Sequence, residues 1–131
     1  SYFQSFIKSK KKNIKNLLMD QKFISGLGNI YVNEALFMAK IHPLRTSRDI
    51  KKSEIIRLIH CVKLILKLSI LKGGSTIRDF KNLSGKSGNF QQFFRVYGKE
   101  GKYCSRISCK EKIKKIFISN RSSFFCSKCQ N

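Results

Sequence analysis

Four cysteines near the end of the chain constrain its fold more than any other feature. They fall as Cys104-x4-Cys109, then sixteen residues, then Cys126-x2-Cys129. Two close pairs on either side of a hairpin-length stretch is the spacing that surrounds a tetrahedral zinc ion with four soft sulfur ligands. The stretch between them suits a hairpin: residues 113–118 and 123–125 are β-prone, and Ser119-Asn120-Arg121 joins them. With all four positions filled by protein, one zinc held this way is structural and has no coordination position open for catalysis. Two disulfides would use the same four cysteines. They require an oxidising compartment, for which the sequence carries no signal.

Charge narrows the partner. The chain has 131 residues, with 28 Lys+Arg against 7 Asp+Glu and a formal net charge of +21. That excess points to a polyanion, most simply nucleic acid, and argues against an active site of clustered carboxylates. A hydrophobic share of 41%, including 11 Phe and 4 Tyr, supports a globular core and excludes wholesale disorder. Lysine outweighs arginine and the chain is rich in Asn, Ile and Phe, a composition that coding bias could produce, so part of the charge need not reflect selection for binding. The longest apolar region, residues 55–71, is interrupted by Arg57, His60, Lys63 and Lys67, which rules it out as a membrane span. No signal-peptide core is visible, and the expected location is a bacterial cytoplasm. The first residue is Ser1 rather than Met, which suggests a piece of something longer.

The order of elements reads as mainly α. A basic run (Lys8, Lys10, Lys11, Lys12, Lys15) leads into a short helical turn at Leu17, Leu18 and Met19. The glycine turn Gly26-Leu27-Gly28 then opens a helix on which Val32, Ala35, Leu36 and Ala39 recur at helical spacing. Asn29 is placed to cap it, and Ile41-His42-Pro43 to end it, because the residue before a proline avoids the α region. A second helix starts near Ser53, with Ile55, Leu58, Ile59, Val62, Ile65, Leu66 and Ser69 on one face and Gly73-Gly74 as its stop. His60 and Cys61 on this helix read as an exposed polar or packing position, since neither has a partner at ligand spacing. The stretch from Ser75 to Phe94 has no period and reads as an ordered but mobile loop. A boundary near residue 94 would separate a helical domain, 1–94, from a zinc hairpin domain, 95–131.

The glycine turn lacks the preceding strand of a dinucleotide fingerprint, so that reading is rejected. A helix N-terminus beside a lysine cluster is still a good seat for a phosphate. An arginine at the tip of a rigid hairpin is a second one. Taken alone, a plain capped helix and a solvated charged face explain these segments as well.

Their combination is more specific. Leu17-Leu18-Met19-Asp20-Gln21-Lys22, the run from Gly26 to Phe37 and Ile41-His42-Pro43 resemble the helix–two-turns–helix region of formamidopyrimidine-DNA glycosylases. So do Gly73-Gly74-Ser75-Thr76-Ile77-Arg78-Asp79-Phe80, Gly88-Asn89-Phe90-Gln91-Gln92 and Val96-Tyr97-Gly98-Lys99-Glu100-Gly101, while the stretch from Asn120 to Gln130 resembles the family's zinc finger. The resemblance covers nearly the whole chain, in the family's order, but only the family's C-terminal half. It implies a helix–two-turns–helix DNA-binding domain followed by a small β-hairpin zinc finger, from a monomeric repair enzyme that excises oxidised purines and cleaves the abasic strand. The amino-terminal proline nucleophile, adjacent glutamate and β-elimination lysine of the family map to nothing here, so this chain alone is expected to bind damaged duplex DNA without cutting it.

By the same resemblance Lys10, Lys15 and Asn29 are DNA-binding positions. Arg121 grips phosphates around the flipped nucleotide and is the family's proton donor in δ-elimination. Residues 75–97 correspond to the loop that covers the extruded base. Three departures stand out: an x4 first cysteine pair where many members have x2, Lys40 where many have glycine, and lysine at several positions usually held by arginine. A stand-alone zinc-containing nucleic-acid-binding module, or an RNA-binding zinc protein, is the alternative from another class.

Overall fold

Asn13 starts the helix that follows the basic run. Its side-chain oxygen accepts the Asn16 amide at 2.8 Å, the capping bond that frees a chain to turn into α1, Ile14–Met19. Before it, residues 12–15 run against residues 43–47, with Ile14 N–H on the Arg45 carbonyl (2.8 Å) and Ser47 N–H on the Lys12 carbonyl (2.8 Å). The remaining elements are α2 (Asn29–Met38), a 3-10 turn (Ser47–Asp49), α3 (Lys52–Leu71), β1 (Lys114–Ile118) and β2 (Arg121–Phe125). The computed structural model describes Ile7 and residues 11–19, 28–71 (side chains to residue 68) and 94–131. Lys10, Gly26, Leu27, the Gly73-Gly74 stop and the expected loop as far as residue 93 lie outside the described residues.

The helix α2 is the centre of the molecule. The sequence pattern placed one apolar stripe on it, whereas all residues from Ile30 to Phe37 are buried. It is enclosed because α1, α3 and β2 each pack against it. Its core partners include Leu17 and Leu18 of α1 and Ile55, Leu58, Val62 and Ile65 of α3, the face expected from the helical spacing of α3. Cys61 is buried on that face and His60 is exposed. A second apolar cluster joins Phe37 to Val96, Cys104, Ile113, Phe124 and Cys126.

Two helix ends differ from expectation. The residue at the N-cap of α2 is Gly28, and Asn29 is the first helical residue, its side chain engaged elsewhere. At the other end the helix stops at Met38, before the His42-Pro43 step is reached. Lys40 takes a left-handed conformation (φ 63°), its N–H bonds the Phe37 carbonyl (3.1 Å), and the Ile41 N–H bonds the Leu36 carbonyl (3.0 Å). This paired closure ends a helix by backbone geometry, and normally a glycine occupies the left-handed position. The start of α3 is held by Glu54, which accepts the Lys51 N–H (3.0 Å) and pairs with Arg45 through a second bond at 2.8 Å. That guanidinium and the Lys51 amide hold the Glu54 carboxyl below its ordinary value.

The hairpin is tighter than its sequence suggested. Ile118 pairs with Arg121, leaving Ser119 and Asn120 as a two-residue turn with φ of 49° and 64°. Both residues being left-handed identifies the turn type that matches the twist of the flanking strands. Arg121 is therefore the first residue of β2 rather than part of the turn. Ile113, expected in β1, bonds the Lys102 carbonyl instead (2.8 Å).

Lys40 supplies a test of this description. Lys40→Gly removes the side chain from a left-handed position and should stabilise the chain by about 0.5–1 kcal/mol, raising its Tm by a few degrees. Unchanged or lower Tm in thermal melts would contradict the left-handed closure of α2.

Candidate nucleic-acid interface and metal centre

Both expected sites are built against α2. The hairpin brings its two chain-distant cysteine pairs to one end, and the Sγ atoms of Cys104, Cys109, Cys126 and Cys129 all lie within 4.8 Å of one another. The individual separations are 3.9 Å for Cys104–Cys129, 3.6 Å for Cys109–Cys126 and 3.6 Å for Cys109–Cys129. A tetrahedral ion with bonds of about 2.3 Å to sulfur needs sulfurs about 3.8 Å apart, so the set fits such an ion. Disulfide sulfurs would sit about 2.0 Å apart, and all five cysteines are free. The four thiols can therefore hold a metal ion, and the x4 first pair closes onto the same point as the x2 second pair. Burial pushes the Cys104 thiol up to about 12 and raises Cys126, while the Glu111 amide draws Cys109 down to about 7. Among the described residues no other group of three or more His, Cys, Asp or Glu is close enough to share an ion.

The longer first pair has a structural use. Arg106, inside it, donates to the Phe37 carbonyl at 2.6 Å and lies 4.0 Å over the Phe37 ring. A cation on the last carbonyls of α2 also suits the helix dipole. The cysteine-cluster end of the chain is tied to the helical part a second time by Gln130. Its side chain accepts the Cys126 N–H (2.8 Å) and donates to the Ile41 carbonyl (3.0 Å).

At the opposite end of α2 the expected phosphate-binding positions converge. Lys15, read from sequence as part of a solvated basic run, is 1% exposed. Its ammonium donates to Ser123 Oγ (2.7 Å) and the Ser122 carbonyl (3.4 Å), a hydroxyl and a carbonyl rather than a carboxylate. Burial, and then the charge of Arg121, lower it to about 8. Asn29 Nδ2 donates to the same Ser122 carbonyl (3.0 Å), and Asn16 Nδ2 reaches Ser119 Oγ in the turn (3.0 Å). Arg121 is exposed, one residue before the carbonyl on which Lys15 and Asn29 meet. The structure thus brings Lys15, Asn29 and Arg121 together; Lys10 lies outside the described residues.

Two neighbours on α2 that the sequence reading passed over hold this arrangement. Asn33 is buried and bonded to Asn29, Ser122 and Phe124. Glu34 accepts three backbone amides, Arg95 (2.7 Å), Val96 (3.0 Å) and Tyr97 (2.8 Å). Burial raises its carboxyl above the ordinary value while those amides pull it back. A polar pair inside an otherwise apolar helical run was the available signal, since such groups stay buried only when bonded.

The comparisons with known proteins agree with this geometry. The family model described as the formamidopyrimidine-DNA glycosylase H2TH domain matches residues 1–81. The formamidopyrimidine-DNA glycosylase of Roseobacter denitrificans is 45% identical over 130 residues, 99% of this chain and 46% of that protein. That of Photobacterium profundum is 44% identical over 129 residues, 98% and 47%. Among solved structures, Lactococcus lactis Fpg in complex with abasic-site DNA superposes with a TM-score of 0.84 at 38% identity, covering 99% of this chain and 46% of that one. MutM in complex with DNA containing carbocyclic 8-oxo-G gives 0.84 at 39% identity, with 99% and 46% covered. The chain spans about half the length of the relatives it matches. With a family model over more than half its residues and the same fold from first helix to cysteine hairpin, the chain belongs to the formamidopyrimidine-DNA glycosylase H2TH domain family.

Proposed function

We propose that this chain is the damaged-DNA-holding part of a base-excision-repair glycosylase and AP lyase acting on oxidised purines. The observation that carries the reading is the meeting of Lys15, Asn29 and Arg121 around the Ser122 carbonyl. A lysine ammonium out of solvent with only neutral acceptors gains from an anion at close range. Arg121, exposed beside it on a short rigid hairpin, offers a planar fork suited to a phosphate. Two cationic groups and an amide on different supports grip a backbone whose shape is distorted, as it is where a nucleotide is flipped out for base chemistry. The L. lactis and MutM relatives were solved with abasic-site DNA and with DNA containing carbocyclic 8-oxo-G, which supports the same reading here.

The cysteine cluster is assigned to one structural zinc. Bound by four thiolates, the ion has no open position and supplies folding energy rather than catalysis. Excision itself is assigned to a part of the family outside the half that aligns with this chain, and Arg121 to proton donation in the second elimination.

Four outcomes are expected. Metal analysis should find one zinc per chain, and Cys126→Ser should release it and melt the hairpin; absence of zinc in freshly purified protein would remove the metal assignment. Borohydride should trap no covalent adduct with abasic DNA, because the family's nucleophile maps to no residue here; a robust adduct would mean a lysine nucleophile in this chain. Lys10→Ala should weaken binding to any duplex and lower the salt slope by about one, whereas Arg121→Ala should weaken binding to abasic duplex more than to intact duplex. Equal losses on both duplexes across salt would reduce the hairpin to another basic patch.

The fourth concerns pH. Free Lys15 titrates near 8, below its unfolded value, and a bound phosphate would favour its protonated form. Binding then takes up a proton between the free and bound values, so affinity should fall as pH rises through 8. Calorimetry in buffers of different ionisation heat measures that uptake directly; no uptake at pH 8–9 would take Lys15 out of the contact.

A further inference from the structure

We infer that Asn33 is the positioning residue of this interface: its carboxamide stands in for a missing third strand and sets Arg121 against the N-terminal turn of α2. The inference rests on the DNA-binding reading above. In an antiparallel pair, alternate residues turn both backbone groups toward the partner strand or both away from it. The carbonyl of Ser122 and the N–H of Phe124 are taken by Asn33, from Nδ2 at 3.3 Å and by Oδ1 at 2.7 Å, so they face away from β1. Ser122 and Phe124 are paired with Phe117 and Lys115 on the β1 side. A free edge of this kind needs a donor and an acceptor at strand spacing, and a carboxamide is the side chain that carries both.

The orientation of the amide is forced by its partners. Phe124 N–H demands an acceptor, while the Ser122 and Asn29 carbonyls demand donors; the second Nδ2 proton goes to the Asn29 carbonyl at 2.8 Å. Asn33 is 1% exposed, so no water replaces these bonds cheaply. Two hydrogen-bonded strands alone are marginally stable, so contacts with the helices set the hairpin's position, and Asn33 engages both a donor and an acceptor on the outer edge of β2. The carbonyl Asn33 holds is the one on which Lys15 and Asn29 also converge, and Arg121 is its immediate neighbour in β2. Releasing Asn33 lets the hairpin slide or tilt, and Lys15, Asn29 and Arg121 lose their common focus without any of them being altered.

The test uses this whole chain with its metal bound, and compares wild type, Asn33→Ala and Asn33→Asp. The aspartate keeps the acceptor for Phe124 and loses the donor for Ser122, and it serves as the second variant if alanine prevents folding. Affinities are measured for an intact duplex and for one carrying a tetrahydrofuran abasic-site analogue, alongside amide hydrogen exchange at Phe124. Loss of the two hydrogen bonds to β2 should cost Asn33→Ala about tenfold or more on the abasic analogue and about threefold or less on intact duplex, with Asn33→Asp between. Exchange at Phe124 should accelerate in the alanine variant and remain slow in the aspartate variant. A purely structural role would instead lower both affinities by one common factor, and that result overturns the proposal, as does unchanged Phe124 exchange. Failure of the wild-type chain to bind either duplex overturns the DNA-binding reading itself; accelerated Phe124 exchange in Asn33→Ala would then leave Asn33 as a tether of the hairpin alone.

Discussion

Burial of the α2 helix on every side is the constraint to which the rest of the structure answers. A helix enclosed by two other helices and a strand can carry polar residues only where each polar atom finds a partner. Asn33 and Glu34 occupy consecutive positions on it and meet that requirement in different directions. Asn33 takes the open edge of β2, and Glu34 gathers the amides of residues 95–97. One turn of one helix thereby orders both residues 95–97 and β2, segments more than twenty residues apart in the chain. Removing either side chain would leave buried backbone groups unpaired, each costing about 1–3 kcal/mol.

The cysteine cluster works from the other end of the same helix. Arg106 sits between the first two cysteines and donates to the Phe37 carbonyl near the end of α2, so the loop that carries the first cysteine pair also holds the helix end. Gln130, just past the fourth cysteine, ties the second knuckle to the Ile41 carbonyl. The module is therefore joined to the helical part by hydrogen bonds at both knuckles and along β2. A domain this small gains from such staples, because its own apolar cluster is limited to a few side chains. An ion held by the four thiols would stiffen the hairpin through these joints.

The cationic surface deserves separation into parts with different physics. Lys11 and Lys12 are exposed, and charges of that kind give a diffuse, salt-screened attraction that depends little on position. Lys15 is of another kind, since its desolvated ammonium favours one close anion over a diffuse cloud. Arg121 combines exposure with a fixed support. The high net charge of the chain reports on the first kind only.

Much of this was readable in the residues. The cysteine spacing fits a metal-binding cluster on a hairpin, and the periodic apolar face of α3 appeared as expected, because both depend on local spacing. Order of the motifs along the chain was enough to place it in its family. Helix ends were harder: Asn29 looked like a cap and became a tether, and Lys40 closed α2 in a conformation that glycine usually takes. Lys40 closes α2 through bonds to the helix's own Phe37 and Leu36 carbonyls, whereas Asn29 is held by the distant Ser122 carbonyl, which no local pattern records. The same holds for Lys15, whose removal from solvent depends on a serine more than a hundred positions away, and for Asn33, whose role exists only once β2 lies alongside α2. Local spacing settles which elements form; side chains that bridge elements acquire their chemistry from packing, since burial and partner geometry are properties of the assembled fold.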